Sequence, residues 1–315
     1  MSNGEDRLNV RNAMKIKLNL FLLALILIPR LHAQDYTLNV DVKLVNVFVN
    51  VTDQSGAIVG GLKKEDFAIS EDGRPQSISV FERQSELPLN IALAIDTSGS
   101  VQIDMAREKS AAQSFARAIL RPQDKMALYE FATEVRELSG FTNKISQIQR
   151  GLNAIRGGDA TALYDAIYLA SHQLAPLQGR RVLILVSDGG DTAKSTTYAE
   201  ALEAAQRGEV MIYSIIDVPI AASAGRDTGG EHALITLSEE TGGKHFYVNE
   251  GGLDQAFAKV SEDLRTQYLL GYYPHKQLPG TNFHRIQVTI PRASADSFNI
   301  RNRTGYYSDG LSTKN

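Results

Sequence analysis

Ile91-Ala92-Leu93-Ala94-Ile95-Asp96-Thr97-Ser98-Gly99-Ser100 decides the fold. Residues 91–95 form an unbroken apolar run, short for a helix and right for a strand covered on both faces, as strands of parallel sheets are. The run stops at a carboxylate, two serines follow at alternate positions, and a stretch with helical spacing begins beyond them (Ala112, Phe115, Ala116, Ile119). A strand-to-helix turn of this kind is where an open α/β sheet binds its ligand. Its side chains offer only hard oxygen donors, which suit Mg²⁺ or Mn²⁺ better than zinc or copper.

The alternation continues outward. Apolar runs at 126–131, 182–186 and 210–216 read as further buried strands. Amphipathic stretches lie among them, at Leu163/Ala166/Ile167/Ala170/Leu174 and Tyr198/Ala201/Leu202/Ala205, and Leu253/Ala256/Phe257/Val260/Leu264 closes the series. Strand-helix alternation predicts an α/β fold with a doubly wound, mainly parallel sheet and helices on both faces. Two further loops carry oxygen chemistry: Gly157-Gly158-Asp159-Ala160-Thr161, which leads into the Leu163 helix, and Ser187-Asp188-Gly189-Gly190-Asp191, which follows the 182–186 strand. With the first loop they are expected to meet at one edge of the sheet.

The flanks have a different texture. From Leu38 to Leu44 apolar residues occupy even positions, and from Val45 to Val51 odd ones, so a bulge or break is expected near Leu44 and Val45. Asp72-Gly73-Arg74-Pro75 reads as a turn before Ile78-Ser79-Val80. Strand patterns return at Tyr268 to Tyr273, at Ile286/Val288/Ile290 and at Phe298/Ile300. Neither flank is long enough to bury a sheet alone, so 34–86 and 268–310 are expected to pair into one small β domain beside a central domain at 87–267.

Residues 1–33 read as a signal peptide. Arg7, Arg11, Lys15 and Lys17 precede an apolar stretch from Leu18 to Ile28, and Leu31-His32-Ala33 ends on the small residue that signal peptidase requires, with cleavage expected before Gln34. The stretch has about half the ~20 residues of a bilayer span, so no stable membrane span is expected after cleavage. The absence of cysteine removes both disulfide staples and a lipid-modified anchor. A secreted or periplasmic envelope protein follows. Its net charge of -3, with no basic block, argues against nucleic acid as a partner.

Asp96, Ser98 and Ser100 resemble the Asp-x-Ser-x-Ser element of the metal-ion-dependent adhesion site in the von Willebrand factor A domain family. In that family a threonine commonly follows Gly-Gly directly; here Asp159 and Ala160 intervene, and Thr161 keeps the downstream spacing to Ala166, with Asp159 as the substitute. Asp188, in a Ser-Asp-Gly setting, is similar to the final acidic position. The whole chain resembles exported bacterial VWFA-related proteins known mainly from acidobacteria, with flanking motifs at Lys63 to Phe67, Glu71-Asp72-Gly73 and Tyr268 to Tyr273. The resemblance implies Mg²⁺ (or Mn²⁺) held by Asp96, Ser98, Ser100, Thr161 and Asp188, with a protein ligand that offers an acidic side chain. It also implies that the last helix, Leu253 to Leu264, can shift when the metal gains a ligand.

A Ser/Thr/Asp turn before a helix often serves only as an N-cap. A serine nucleophile would need a partnered histidine, and His172, His232, His245, His275 and His284 show no motif around them. No P-loop, His-Glu-x-x-His or Gly-x-Gly-x-x-Gly is present. A non-enzymatic binding module is therefore expected, with a structural envelope protein carrying a vestigial metal site, or an uncharacterised hydrolase, as alternatives.

Overall fold

The structure, a computed structural model, describes residues 44–84, 86–99, 105–193, 195–217, 228–248, 252–274, 282–292 and 297–309. Four strands come first: β1 (Val45–Asp53), β2 (Ala68–Glu71), β3 (Arg74–Gln76) and β4 (Ile78–Glu82). Strands and helices then alternate through β5 (Leu89–Asp96), α1 (Met105–Ile119), β6 (Lys125–Phe131), β7 (Val135–Thr142), α2 (Ile145–Asn153), α3 (Leu163–Leu174) and β8 (Arg180–Ser187). The series continues with α4 (Tyr198–Arg207), β9 (Val210–Ile216), α5 (Thr228–Thr241), β10 (His245–Tyr247) and α6 (Gly252–Arg265). Strands β11 (Tyr268–Tyr272), β12 (Phe283–Thr289), β13 (Phe298–Arg301) and β14 (Gly305–Tyr307) close the chain.

The central sheet has the order β10-β9-β8-β5-β6-β7, parallel except for the antiparallel edge strand β7. Strand β5 is buried along its whole length, and its alternation explains why. Leu89, Ile91, Leu93 and Ile95 face a core made with α1, α2 and α6. The small Ala92 and Ala94 face a second core made with α3, α4 and α5. The molecule is thus an α/β fold, doubly wound, with helices on both faces of the sheet.

The strands at the two ends of the chain form two antiparallel sheets, β13-β1-β11-β4 and β14-β12-β2-β3. Each mixes segments from before and after the central layer: β1 pairs with β11 and β13, and β12 pairs with β2. The inward positions of β1 (Val45, Val47, Val49, Val51), β11 (Tyr268, Leu270, Tyr272) and β12 (Ile286, Val288) share one core, so the two sheets act as a sandwich. The turn expected at 72–75 is confined to Asp72-Gly73; Arg74 and Pro75 already belong to β3, at a sheet edge that tolerates proline. The phase change expected near Leu44 and Val45 lies at the limit of the described residues, where β1 begins at Val45.

Besides the short strands β2, β3, β10 and β14, three longer elements go beyond the sequence reading. Strand β7 (VRELSGFT) is half-buried and lacks clean alternation. Helix α2 is short, with Ile148 and Leu152 inward. Helix α5 begins with Thr-Gly-Gly and buries only Glu231, Leu234, Leu237, Ser238 and Thr241, a stripe too polar for an apolar periodicity to reveal. Among the described residues no helix is long and apolar enough to cross a membrane.

Candidate metal centre

In the central sheet, β5 and β8 are neighbours, and the strand order changes direction between them: β6 and β7 lie to one side, β9 and β10 to the other. The carboxyl ends of two such strands open a crevice where ligands bind in α/β sheets. Asp96 ends β5 and Ser187 ends β8, so this crevice lies where the sequence places its oxygen donors.

Asp96 is fully buried. Its Oδ1 accepts the Ser98 N–H at 2.9 Å, and its Oδ2 accepts the Ser187 hydroxyl at 2.7 Å. The Ser187 hydroxyl oxygen in turn accepts the Gly189 N–H at 3.1 Å. These bonds fix the carboxylate before any ligand arrives. Burial pushes the Asp96 carboxyl up; hydrogen bonds from Ser187 and Ser98 oppose it, and the charge of Asp188 adds to the rise.

The three loops are cross-linked through their backbones. Thr97 donates its N–H to the Phe131 carbonyl at the end of β6 (2.9 Å), and its own carbonyl accepts the Gly158 N–H (3.1 Å). The Thr161 carbonyl accepts the N–H groups of Thr192 and Ala193 at 2.9 and 3.1 Å, while the Thr161 N–H donates to Thr192 Oγ1 at 2.9 Å. Thr161 is buried, whereas Asp159 is exposed. Asp191, in the third loop, caps the start of α3 by accepting the Tyr164 N–H at 3.2 Å.

Glycine allows the third loop its course. Gly189 has φ +99, and a Cβ there would lie 2.5 Å from the Gly230 carbonyl carbon and 2.7 Å from the Glu231 N, so the loop packs directly on the backbone of α5. Asp188 is half-buried, and Gly190 donates its N–H to Asp188 Oδ1 at 3.3 Å.

Of the residues singled out in the sequence, Asp96, Ser98, Thr161 and Asp188 lie on these three bonded loops, and Ser100 lies outside the described residues. Two contributors were missed. Ser187 was read only as part of a loop motif; its bond to Asp96 depends on β8 lying beside β5, which no local pattern reveals. Asp217, just past β9, donates its N–H to the Ser187 carbonyl at 3.0 Å. Burial pushes its carboxyl up and Asp188 adds to this, while Arg107 opposes it. The charge of Asp188 therefore acts on both the Asp96 and the Asp217 carboxyls.

This donor set fits a divalent hard cation. It combines carboxylates with hydroxyls and contains no sulfur or imidazole, and the buried Asp96 beside Asp188 is a concentration of negative charge that a +2 ion offsets.

Residues 91–191 match the family description of the von Willebrand factor type A domain. Among solved structures, an aerotolerance-related membrane protein from Bacteroides fragilis is 17% identical, covering 56% of this chain and 98% of that one at a TM-score of 0.46. The conserved hypothetical protein BatB from Bacteroides thetaiotaomicron is 19% identical over 56% of this chain and 97% of that one, also at 0.46. The PilB minor pilin from Streptococcus sanguinis is 14% identical over 58% and 62%, at 0.44. No curated protein matches the chain. The parallel sheet of 89–216, its three loops and the family match over 91–191 lead to one conclusion: the chain carries a von Willebrand factor type A domain, a module that commonly serves protein interaction.

Proposed function

We propose that the chain is an exported, metal-dependent protein-binding module. Its site takes Mg²⁺ or Mn²⁺ through Asp96, Ser98, Ser100, Thr161 and Asp188, and it recognises an acidic side chain of a partner protein. One observation carries the reading: a fully buried, doubly hydrogen-bonded Asp96 at the switch point of the sheet, within reach of the Asp188 charge. The bound ion would supply an electrophilic centre with exchangeable water positions, one of which a partner carboxylate can take.

The protein groups have distinct tasks. Ser187 and the Ser98 N–H hold Asp96 in one rotamer, so its charge is presented without reorganisation. The bonds from Thr192 and Ala193 fix the backbone of Thr161. Hydroxyl donors leave the ion underneutralised, which favours an anionic partner over a neutral one. Export rests on the leader at 1–33, which lies outside the described residues.

Calorimetric titration of the wild-type chain with Mg²⁺ and with Mn²⁺ tests the proposal. Saturable heat is expected, lost in Asp96→Ala. A wild type that gives no metal-dependent heat rejects the reading and leaves a structural envelope protein with a vestigial site.

A further inference from the structure

The β sandwich contains a second group of donors, independent of the first site. Glu71 ends β2, Asp72 follows it in the turn, and His284 sits on β12. A ligand atom from each of the three lies within 4.8 Å of the others. Strand pairing brings them together: β12 lies between β14 and β2, with His284 opposite Tyr306 and Ile286 opposite Glu71. Asp72 adopts φ 49, and this left-handed turn is pinned to β12 by the Asp72 N–H on the Arg285 carbonyl (3.0 Å) and by the Arg285 N–H on Asp72 Oδ1 (2.9 Å).

Each side chain is already oriented. Glu71 is buried, and its Oε2 accepts the hydroxyls of Tyr272 at 2.5 Å and Tyr306 at 3.0 Å. Burial and the Glu71 contact push the Tyr272 hydroxyl far up, so it remains a donor. The His284 side chain is only 1% exposed, and its Nδ1 lies 2.8 Å from Asp72 Oδ2. Its other nitrogen, Nε2, is buried and has no hydrogen-bond partner. A buried imidazole nitrogen without a partner is costly, and a site that keeps one needs a reason. When Nδ1–H is donated to Asp72, Nε2 carries a bare lone pair. An imidazole held by a carboxylate at one nitrogen and free at the other is the usual state of a metal-binding histidine.

We propose that Glu71, Asp72 and His284 form a second cation site, selective for a borderline divalent ion of the Zn²⁺ type. His284 supplies nitrogen, Glu71 supplies the carboxylate, and Asp72 holds the imidazole in its ligating tautomer. The imidazole separates this site from the all-oxygen one on the central sheet, because nitrogen donors favour zinc over magnesium. The site also has a structural consequence. It joins a strand from before the central layer to one from after it, in a chain with no cysteine to do so. Zn²⁺ bound there adds its binding free energy to folding.

The test is Zn²⁺ titration of the full chain carrying Asp96→Ala, which removes the first site from the measurement. One saturable Zn²⁺ event and a higher thermal midpoint are expected. Adding His284→Gln abolishes both, and Asp72→Asn weakens Zn²⁺ by about 10–100-fold. Absence of Zn²⁺ binding in the Asp96→Ala chain, or binding undiminished by His284→Gln, overturns the proposal. Should His284→Gln fail to fold, Asp72→Asn decides from its exposed position, and an unchanged affinity there overturns the proposal as well.

Discussion

Asp96 illustrates how one residue serves the fold and the site in opposite ways. Its carboxylate is buried and near Asp188, which without a cation is unfavourable; its hydrogen bonds to Ser98 and Ser187 are what hold it. Asp96→Asn keeps the shape and removes the charge. The expected outcome is a thermal midpoint in chelator equal to or above that of the wild type, and no response to Mg²⁺ where the wild type rises. Scanning calorimetry of both chains in each condition checks this, and a clearly lower midpoint for Asp96→Asn in chelator contradicts the argument. At this scale the sequence was informative because residues 91–98 encode strand, crevice and donors contiguously. Asp217 and the partner of His284 were not legible. The first follows an ordinary strand, and the second lies 212 positions away across a strand pair that only the finished topology creates.

Among the elements, α4 shows a local rule fully expressed. Thr197 and Glu200 form a capping box: Thr197 Oγ1 accepts the Glu200 N–H at 3.3 Å, and Glu200 Oε2 accepts the Thr197 N–H at 2.8 Å and its hydroxyl at 2.7 Å. These bonds, the backbone one first, hold the Glu200 carboxyl below its ordinary 4.5. A lowered folded-state value means that the stabilisation is present above the unfolded value and is lost as pH falls through the folded one. Thr197→Ala is expected to cost about 1 kcal/mol at neutral pH by urea unfolding. It should also move the Glu200 titration, followed by NMR, part of the way back toward 4.5, because the Thr197 N–H still donates. An unmoved Glu200 titration argues that the hydroxyl contributes nothing. Elements of this kind, capped and periodic, were legible in sequence, as were α1, α3 and α6. Helix α5 was not, since its inward face mixes Leu234 and Leu237 with Ser238 and Thr241, whose hydroxyls are satisfied by helix carbonyls and by Ser214.

For the whole molecule, the decisive element is α6, because its two ends meet different parts of the structure. At its start, Gly252 has φ +67, and a Cβ there would lie 2.7 Å from the Arg107 guanidinium of α1, whose charge also acts on Asp217 beside the Ser187 loop. At its end, both carboxylate oxygens of Asp263 accept from Arg301 Nη2 of β13, at 2.6 and 2.7 Å, and Oδ2 also accepts the Tyr213 hydroxyl of β9 at 2.6 Å. Burial, reinforced by Asp263, raises the Tyr213 hydroxyl well above its ordinary 10, so it stays protonated and donates. The Asp263 carbonyl accepts Asn50 Nδ2 of β1 at 2.9 Å, and Gln267 Nε2 donates to Asn50 Oδ1 at 3.1 Å. This buried network joins the helical layer to the sandwich, and a shift of α6 cannot leave it intact. Arg301→Leu strands the Asp263 carboxylate in the interior and is expected to cost about 3–5 kcal/mol by urea unfolding. Because the main loss is an uncompensated buried charge, Asp263→Leu added to Arg301→Leu is expected to recover part of that stability rather than lose more, giving a coupling well above the ~0.5 kcal/mol of independent sites. Additive losses in this double-mutant cycle would mean that the Asp263–Arg301 pair does not connect the central layer to the sandwich.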